Sequence, residues 1–157
     1  MEEATLTWKT KSFDTLSLDE LYKILQLRQA VFILEQACVY SDLDNKDQKS
    51  FHLMGWQGNT LAAYTRLIPP GISYADAASI GRVIVAGNFR GSGIGEELML
   101  RSIDETEALF GRGTIKIGAQ QHLRGFYNRL GFEQSSDPYM DAGILHIEMT
   151  RPLAERG

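Results

Sequence analysis

The sequence predicts an α/β (α+β) domain with a single central mixed, largely antiparallel sheet flanked by helices. Alternating apolar and polar side chains indicate short strands, and a capping-box pattern at Ser17 indicates a helix start. The glycine-rich stretch Arg90–Gly95 lies between an apolar strand pattern and a helix-forming segment. The expected order is β-α-(loop)-β-β-β-α-β-α-β-β, and we expect residues 1–157 to form a single domain.

The N-terminal part is predicted to hold a strand, a long helix and a loop. Leu6–Thr10 alternates as a strand, and Ser17 with Glu20 starts a helix that runs to about Leu34. Residues 35–50 hold four acids without periodicity, which favours a loop. The apolar positions of the helix form a stripe wide enough to predict packing on two sides; they are Leu18, Leu21, Tyr22, Ile24, Leu25, Leu27, Val31 and Leu34.

The middle of the chain is predicted to form a hairpin and a further strand. Phe51–Trp56 and Thr60–Ile68 pair through a turn at Gln57–Asn59, and the Pro69-Pro70-Gly71 stretch ends the second strand. Ile80–Ala86 is then the strand that leads into the glycine-rich stretch.

The C-terminal part is predicted to alternate helices and strands. The expected helices are Glu96–Phe110 and Gln121–Leu130, and the expected strands are Thr114–Ala119, Phe132–Ser135 and Ile144–Arg151. In the short helix Leu123, Phe126 and Leu130 share one face. In the last strand Leu145, Ile147 and Met149 point to one side, with His146 and Glu148 on the other.

Composition excludes several classes of protein. The net charge of −4 argues against a nucleic-acid partner and leaves room for a cationic one. A single cysteine, Cys38, excludes a disulfide framework and a cysteine-rich zinc site, and the three histidines lack metal-ligand spacing. No apolar run reaches the roughly 18 residues of a membrane span, and no signal-peptide pattern is seen at the start. We therefore expect a cytoplasmic protein without a membrane or metal partner.

The glycine-rich stretch predicts an anion site. Backbone N–H groups at a helix N-terminus favour a phosphate, and glycines let it approach the main chain. No Lys-Ser or Lys-Thr follows as in a Walker A loop, and the G-x-G-x-x-G spacing of dinucleotide folds is absent. A purely structural turn, or a site for a phosphosugar or nucleotide, remains an alternative.

Two motifs resemble those of the GNAT N-acetyltransferase superfamily. Arg90, Gly93 and Gly95 match the Arg/Gln-x-x-Gly-x-Gly/Ala loop that binds acyl-CoA pyrophosphate in that family. Gln120–Phe132 resembles its helix with an aromatic-Tyr pair that ends in Leu-Gly-Phe. Phe32–Gln36 with the residues that follow it, and the closing stretch of the chain, resemble the ElaA-like branch. The resemblance implies a GNAT fold, acetyl-CoA as donor, a small-molecule or peptide amine as acceptor, and a possible homodimer.

The resemblance also implies roles for individual residues. Acetyl-CoA is expected along the strand before the glycine turn, where the amides of Val83 and Val85 pair with pantetheine, although both valines also suit a plain core strand. Tyr127 is the expected general acid for the CoA thiolate, and a half-buried core tyrosine is the alternative. The expected cofactor-binding residues are Val83, Ile84, Val85, Arg90, Gly91, Ser92, Gly93, Ile94, Gly95 and Tyr127.

The general base is predicted less sharply. Glu35 is the first candidate, at the end of the long helix, and His52 is the second, with an ordinary pKa near 6.5. A solvated carboxylate and a structural histidine are the alternatives. Asp44 and Asp47 either attract a cationic acceptor or are simply solvated. The resemblance implies direct transfer in a ternary complex, so Cys38 is not expected to form an acetyl-enzyme. A non-catalytic acyl-CoA binder or sensor is the alternative function.

Overall fold

The computed structural model describes residues 5–153, so residues 1–4 and 154–157 of the expected domain lie outside it. These residues form a sheet of eight strands in the order β1-β2-β3-β4-β5-β8-β6, with β7 paired to β8. Only β4 and β5 run parallel among the paired strands, which confirms the mixed, largely antiparallel sheet. The strands are β1 Thr7–Ser12, β2 Phe51–Gln57, β3 Thr60–Ile68, β4 Ala78–Val85, β5 Ile115–Gln120, β6 Glu133–Gln134, β7 Tyr139–Asp141 and β8 Ile144–Arg151.

Helices cover both faces of the sheet. The helix α1, Leu18–Arg28, continues as a π-helical segment, Gln29–Glu35, and buries Ile24 and Val31 against one face. On the other face lies α2, Ile94–Phe110, together with the short α3, Arg124–Asn128. Strand alternation serves both cores, because neighbouring residues of a strand point to opposite faces. Within residues 5–153, no helix is both long and apolar enough to cross a membrane.

Fewer apolar side chains of the first helix are buried than the sequence predicts. Its start is as expected, because Ser17 forms the capping box with Glu20. Leu18, Tyr22 and Leu34 are, however, 87%, 69% and 68% exposed. The predicted apolar packing on two sides is therefore wrong for the described part of the chain: of the apolar positions of α1 only Ile24 is fully buried, and it packs against the sheet.

The C-terminal hairpin also differs from the prediction. The strand β7 was not predicted, because its three residues are too few to show periodicity and carry no β-branched side chain. Ala142 and Gly143, both with positive φ, join it to β8 in a two-residue turn. Leu145 is 45% exposed and Leu123 is 37% exposed, so neither belongs to the buried face assigned to it.

The sheet opens between β4 and β5. These strands pair only at Ala78 with Ile115 and at Ser79 with Lys116, and they diverge beyond that point. In the same region β4 carries a bulge, since Arg82 and Val83 together oppose Thr65 of β3. The divergence leaves one edge of β4 without a strand partner in the middle of the sheet.

Candidate active site

A cavity of about 410 Å³ fills the gap between β4 and β5. This is within the usual range for a small-molecule site, about 300–1,000 Å³. Its walls come from both open strands, α3, the end of the π-helical segment with the loop after it, and the β7–β8 hairpin. The lining residues are Val31, Phe32, Gln36, Cys38, Tyr40, Ile80, Gly81, Arg82, Val83, Ile84, Val85, Arg90, Ile117, Gly118, Ala119, Gln120, Leu123, Tyr127, Asp141, Ala142, Ile144 and His146.

The open edge of β4 offers unpaired main-chain groups to this cavity. The Ala86 N–H donates to the Ala62 carbonyl of β3 at 2.8 Å, and Ile84 also pairs with β3. Because alternate residues of a strand direct their main-chain groups to opposite sides, those of Val83 and Val85 face the gap. The side chain of Arg90 donates to the Val85 carbonyl at 2.9 Å from that side. Within residues 5–153 this edge of β4 has no strand partner beyond Ser79, so an amide-bearing ligand can pair with it, at Val85 in place of the Arg90 side chain.

The N-terminus of α2 lacks the cap that α1 has. In α1 the Ser17 hydroxyl accepts from the Glu20 N–H at 3.0 Å, whereas Gly93 at the start of α2 supplies no side-chain acceptor. Gly91 and Gly93 have φ of +84° and +81°, a conformation that favours glycine. The first N–H groups of α2 are thus available to an anion, and the helix dipole favours one there.

Tyr127 lies at the cavity wall in an apolar cage. It is 6% exposed, and the rings of Phe126 and Phe132 pack edge-on against it at centroid distances of 5.1 and 6.0 Å. Burial raises the pKa of the Tyr127 phenol to about 12, because the charged form is poorly solvated there. The phenol is therefore protonated at neutral pH, as a proton donor must be.

Glu35 does not line the cavity. Its carboxylate is half-exposed and forms a bidentate ion pair with Arg90, in which Nη2 lies 3.1 Å from Oε2. The hydrogen bond from Arg90 is the main reason that the pKa of Glu35 is lowered. An ion-paired carboxylate with a lowered pKa is a weaker base, so the structure does not favour Glu35 in that role.

His52 is also placed away from the cavity. It is 1% exposed, and its Nδ1 shares a 2.6 Å hydrogen bond with the Tyr64 hydroxyl while Nε2 lies 2.9 Å from the Asp47 carbonyl. Burial lowers its pKa. Because both ring nitrogens are engaged within the core, the surroundings of His52 favour the structural alternative over the predicted role as a base.

A closed ring of ion pairs fixes the loop that follows the π-helical segment. Its neighbouring charges lie 2.8–3.4 Å apart. Going round, the members of this ion ring are Arg28, Asp42, Arg82, Asp44, Arg66 and Asp47. The ring is electrically balanced and joins α1, the loop, β3 and β4. Both Asp44 and Asp47 are thus engaged by arginines rather than left for a cationic acceptor, and Asp47 is buried, whereas the Asp44 side chain is 24% exposed.

The backbone around the cavity is locally strained. Ala37, Arg82 and Ala142 are non-glycine residues with φ of +54°, +50° and +50°. Arg82 and Ala142 line the cavity, and Ala37 lies between two lining residues. Such conformations persist where the surrounding structure enforces them, and they are frequent at functional sites. Here the ion ring provides that enforcement for Arg82.

His146 lies on the cavity wall, although the sequence predicts no functional role for it. Alternation along the last strand predicted that it points away from the buried side chains of that strand. Only the pairing of β8 with β5, which sets His146 beside Gln120, brings it to the cavity. The buried thiol of Cys38 also lines the cavity. Residues 5–153 contain no cluster of side chains suited to a metal ion.

Comparison with known proteins identifies the family. A family model described as an acetyltransferase (GNAT) domain matches residues 18–153. Protein ElaA of Escherichia coli strain K12 is 35% identical over 152 residues, which are 96% of this chain and 99% of that protein. The crystal structure of Escherichia coli ElaA aligns with a TM-score of 0.88 over 94% of this chain and 99% of that one.

A further solved structure agrees. The crystal structure of an acyl-CoA N-acyltransferase from Pseudomonas aeruginosa aligns with a TM-score of 0.89 at 38% identity, over 94% of this chain and 99% of that one. The likenesses extend over nearly the whole chain and include the two predicted motifs. This chain therefore belongs to the GNAT acetyltransferase family, in its ElaA-like branch.

Proposed function

We propose that this protein transfers an acetyl group from acetyl-CoA to an amine by direct attack in a ternary complex. Family membership supports an acyltransferase that uses an acyl-CoA in general. The observation that supports the finer proposal is the cavity that brings the open edge of β4 together with Tyr127. One wall offers main-chain groups for pantetheine, and another offers a protonated phenol for the thiolate.

The proposed cofactor-binding residues lie on the cavity wall and at the start of α2. Pantetheine amides resemble a peptide, so the main-chain groups of Val83 and Val85 suit them as a strand would. The pyrophosphate suits the uncapped start of α2 with Gly91–Gly95, and Arg90 supplies a positive charge beside it. Ile84 and Ile94 are both buried: Ile84 is part of the cavity wall, and Ile94 is the first residue of α2.

Tyr127 acts on the leaving group. When the amine attacks the thioester carbon, the C–N bond forms and the C–S bond breaks, so negative charge develops on sulfur. Thiols, with a pKa near 8.5, are stronger acids than a phenol with a pKa of about 12. The phenol therefore stabilises the thiolate as a hydrogen-bond donor and completes the proton transfer as a proton from nitrogen returns to its oxygen.

Thiol release from acetyl-CoA tests this proposal across polyamines, amino sugars, amino acids and peptides. We expect turnover with at least one amine class, and we expect Tyr127→Phe to lower kcat by about one hundredfold while the CoA-induced thermal shift remains. Propionyl-CoA and longer donors, measured with the same acceptor, test whether acetyl is preferred. A thermal shift without any turnover would point to a non-catalytic acyl-CoA binder. No shift and no turnover would overturn the proposal.

A further inference from the structure

Among the titratable side chains of the cavity that the steps above do not use is an imidazole. His146 lies on β8 beside Gln120 of β5, and its imidazole is half-buried at the cavity wall. The ring stacks on Tyr139 of β7, with the centroids 6.0 Å apart and the planes at 26°. The hydroxyl of Tyr139 lies against Gly118 of β5, which has no side chain: a Cβ added to this glycine would be only 2.9 Å from the hydroxyl oxygen. The imidazole is thus kept in one orientation by the sheet and by an aromatic neighbour.

A hydrogen bond fixes where the proton of the neutral ring lies. Nδ1 of His146 is 2.8 Å from the carbonyl oxygen of Ile144. A carbonyl oxygen only accepts, so Nδ1 must carry the hydrogen. The lone pair of the neutral imidazole is then on Nε2, and no hydrogen bond from residues 5–153 engages that atom. His146 is prepared to accept a proton.

The other candidate bases lack this combination. His52 is buried with both nitrogens engaged, and His122 is exposed on the turn after β5, outside the cavity wall. Glu35 is bound to Arg90. Within residues 5–153, His146 is the histidine that joins a cavity position to a free ring nitrogen.

We propose that His146 is the general base that takes a proton from the acceptor amine; this rests on the proposed acetyl transfer. Nε2 removes one proton from the ammonium form, and the neutral amine attacks the thioester carbon. The C–N bond forms, the C–S bond breaks, and sulfur takes the proton of Tyr127. The second proton of the nitrogen returns to the phenol oxygen, and His146 releases its proton to water. One proton therefore leaves for solvent in each turnover.

The charged groups near His146 favour the imidazolium that forms transiently in each turnover. Asp141 shares the cavity face of the β7–β8 hairpin, and Glu148 lies two residues along β8 on the same side as His146. The other titratable groups at the cavity wall are Tyr40, Arg82, Arg90, Cys38 and Tyr127. Arg82 is balanced by the ion ring and Arg90 by Glu35, so neither opposes protonation of His146 with an uncompensated charge.

Paired variants test the role. In His146→Gln we expect kcat/KM to fall by about one hundredfold and its pH profile to change, because the base is gone. The CoA-induced thermal shift should be kept. His122→Gln, the matched exposed control, should keep both the rate and the pH profile. The substrates are acetyl-CoA and the best amine of the acceptor panel.

Nitrogen NMR of the imidazoles supplies a readout besides activity. We expect the neutral His146 ring to carry its hydrogen on Nδ1, and a hydrogen on Nε2 would overturn the proposal. Wild-type kcat/KM and an unchanged pH profile in His146→Gln would overturn it too, while leaving the acetyl transfer intact. Absence of turnover by the wild type with every donor and acceptor would instead overturn the proposed function and this role with it.

Discussion

The two sides of the cavity are built in different ways. The cofactor side consists of the β4 edge and the turn Gly91–Gly95, and its shape comes from strand alternation and a few positive-φ glycines close together in the chain. The opposite side is the loop of residues 36–50, which has almost no regular structure. The ion ring holds that loop through partners 14 to 40 residues away in sequence, such as Arg28 with Asp42 and Arg82 with Asp42.

The conformation of the cofactor side is thus determined by residues close together in the chain, and that of the loop side by charges far apart in the chain. A glycine turn before a helix exposes N–H groups in any sequence context. A loop held by buried ions depends on every member of the set, because a charge that loses its partner in a dry environment is costly. The loop side should therefore be the more fragile of the two and the cofactor side the more tolerant.

Removal of Arg28 should have the largest effect. Its side chain is 0% exposed and pairs with Asp42 and Asp47. In Arg28→Ala these buried carboxylates lose a partner, and we expect the free energy of unfolding to fall by about 3–5 kcal/mol in urea titrations. Arg101→Ala is the control, since Arg101 forms an exposed pair with Glu97 and should cost about 1 kcal/mol or less. Equal losses would show that the ring contributes nothing special.

The second-largest effect should be a loss of stability on the loop side at acid pH. Burial raises the pKa of Asp44, but the hydrogen bonds and charges of Arg66, with Lys46 N–H and Arg82, outweigh it and lower that pKa from 3.8 to about 2. Because the folded pKa is the lower one, this stabilisation is complete above about pH 4 and is lost as the pH falls towards 2. It amounts to about 2 kcal/mol at most, less what water screens.

Urea unfolding at a series of pH values checks this expectation. Asp44→Asn removes the titrating group, so the wild type should lose more stability than the variant between pH 4 and pH 2. Parallel pH dependence in the two proteins would show that Asp44 is not the group that responds.

On the cofactor side, the effect of a substitution on protein stability should depend on the backbone conformation at that single position. Gly93 has φ of +81°, so Gly93→Ala should destabilise the protein by about 1–2 kcal/mol. Gly95 lies in the first turn of α2, where an added Cβ would meet Val85 at 3.9 Å and Phe126 at 4.0 Å, both ordinary contacts. Gly95→Ala should therefore be neutral or stabilising in thermal unfolding. Similar losses in both variants would mean that the strain is not local.

The same division explains which parts were predictable from the sequence. The capping box at Ser17, the buried alternation of Ile115 and Ile117, and the glycine turn are local patterns, and each was found where expected. The exposed face of α1 was mispredicted because amphipathic width shows what a helix offers, not what packs against it. The short β7 gave no pattern at all.

In the candidate site, too, the residues placed by local motifs were predictable and those placed by contacts distant in sequence were not. Tyr127 and Val83–Val85 line the cavity, because motif and strand place them together. The ion pairs of the loop acids were not predictable, because their arginine partners lie far away in sequence. His146 was overlooked for the same reason, since its position at the cavity depends on the pairing of β8 with β5.

The smallest expected effect concerns the ion pair that joins the two sides. Glu35 ends the π-helical segment and Arg90 begins the glycine turn, and their pair is exposed. Glu35 competes with phosphate for the same guanidinium, so Glu35→Gln should bind CoA a few-fold more tightly in calorimetry at low salt. The gain should vanish near 1 M salt, where the screening length is about 3 Å. Arg90→Gln, which removes the cation itself, should weaken binding instead. A large loss of kcat in Glu35→Gln with unchanged CoA affinity would restore Glu35 as the base and remove the need for His146.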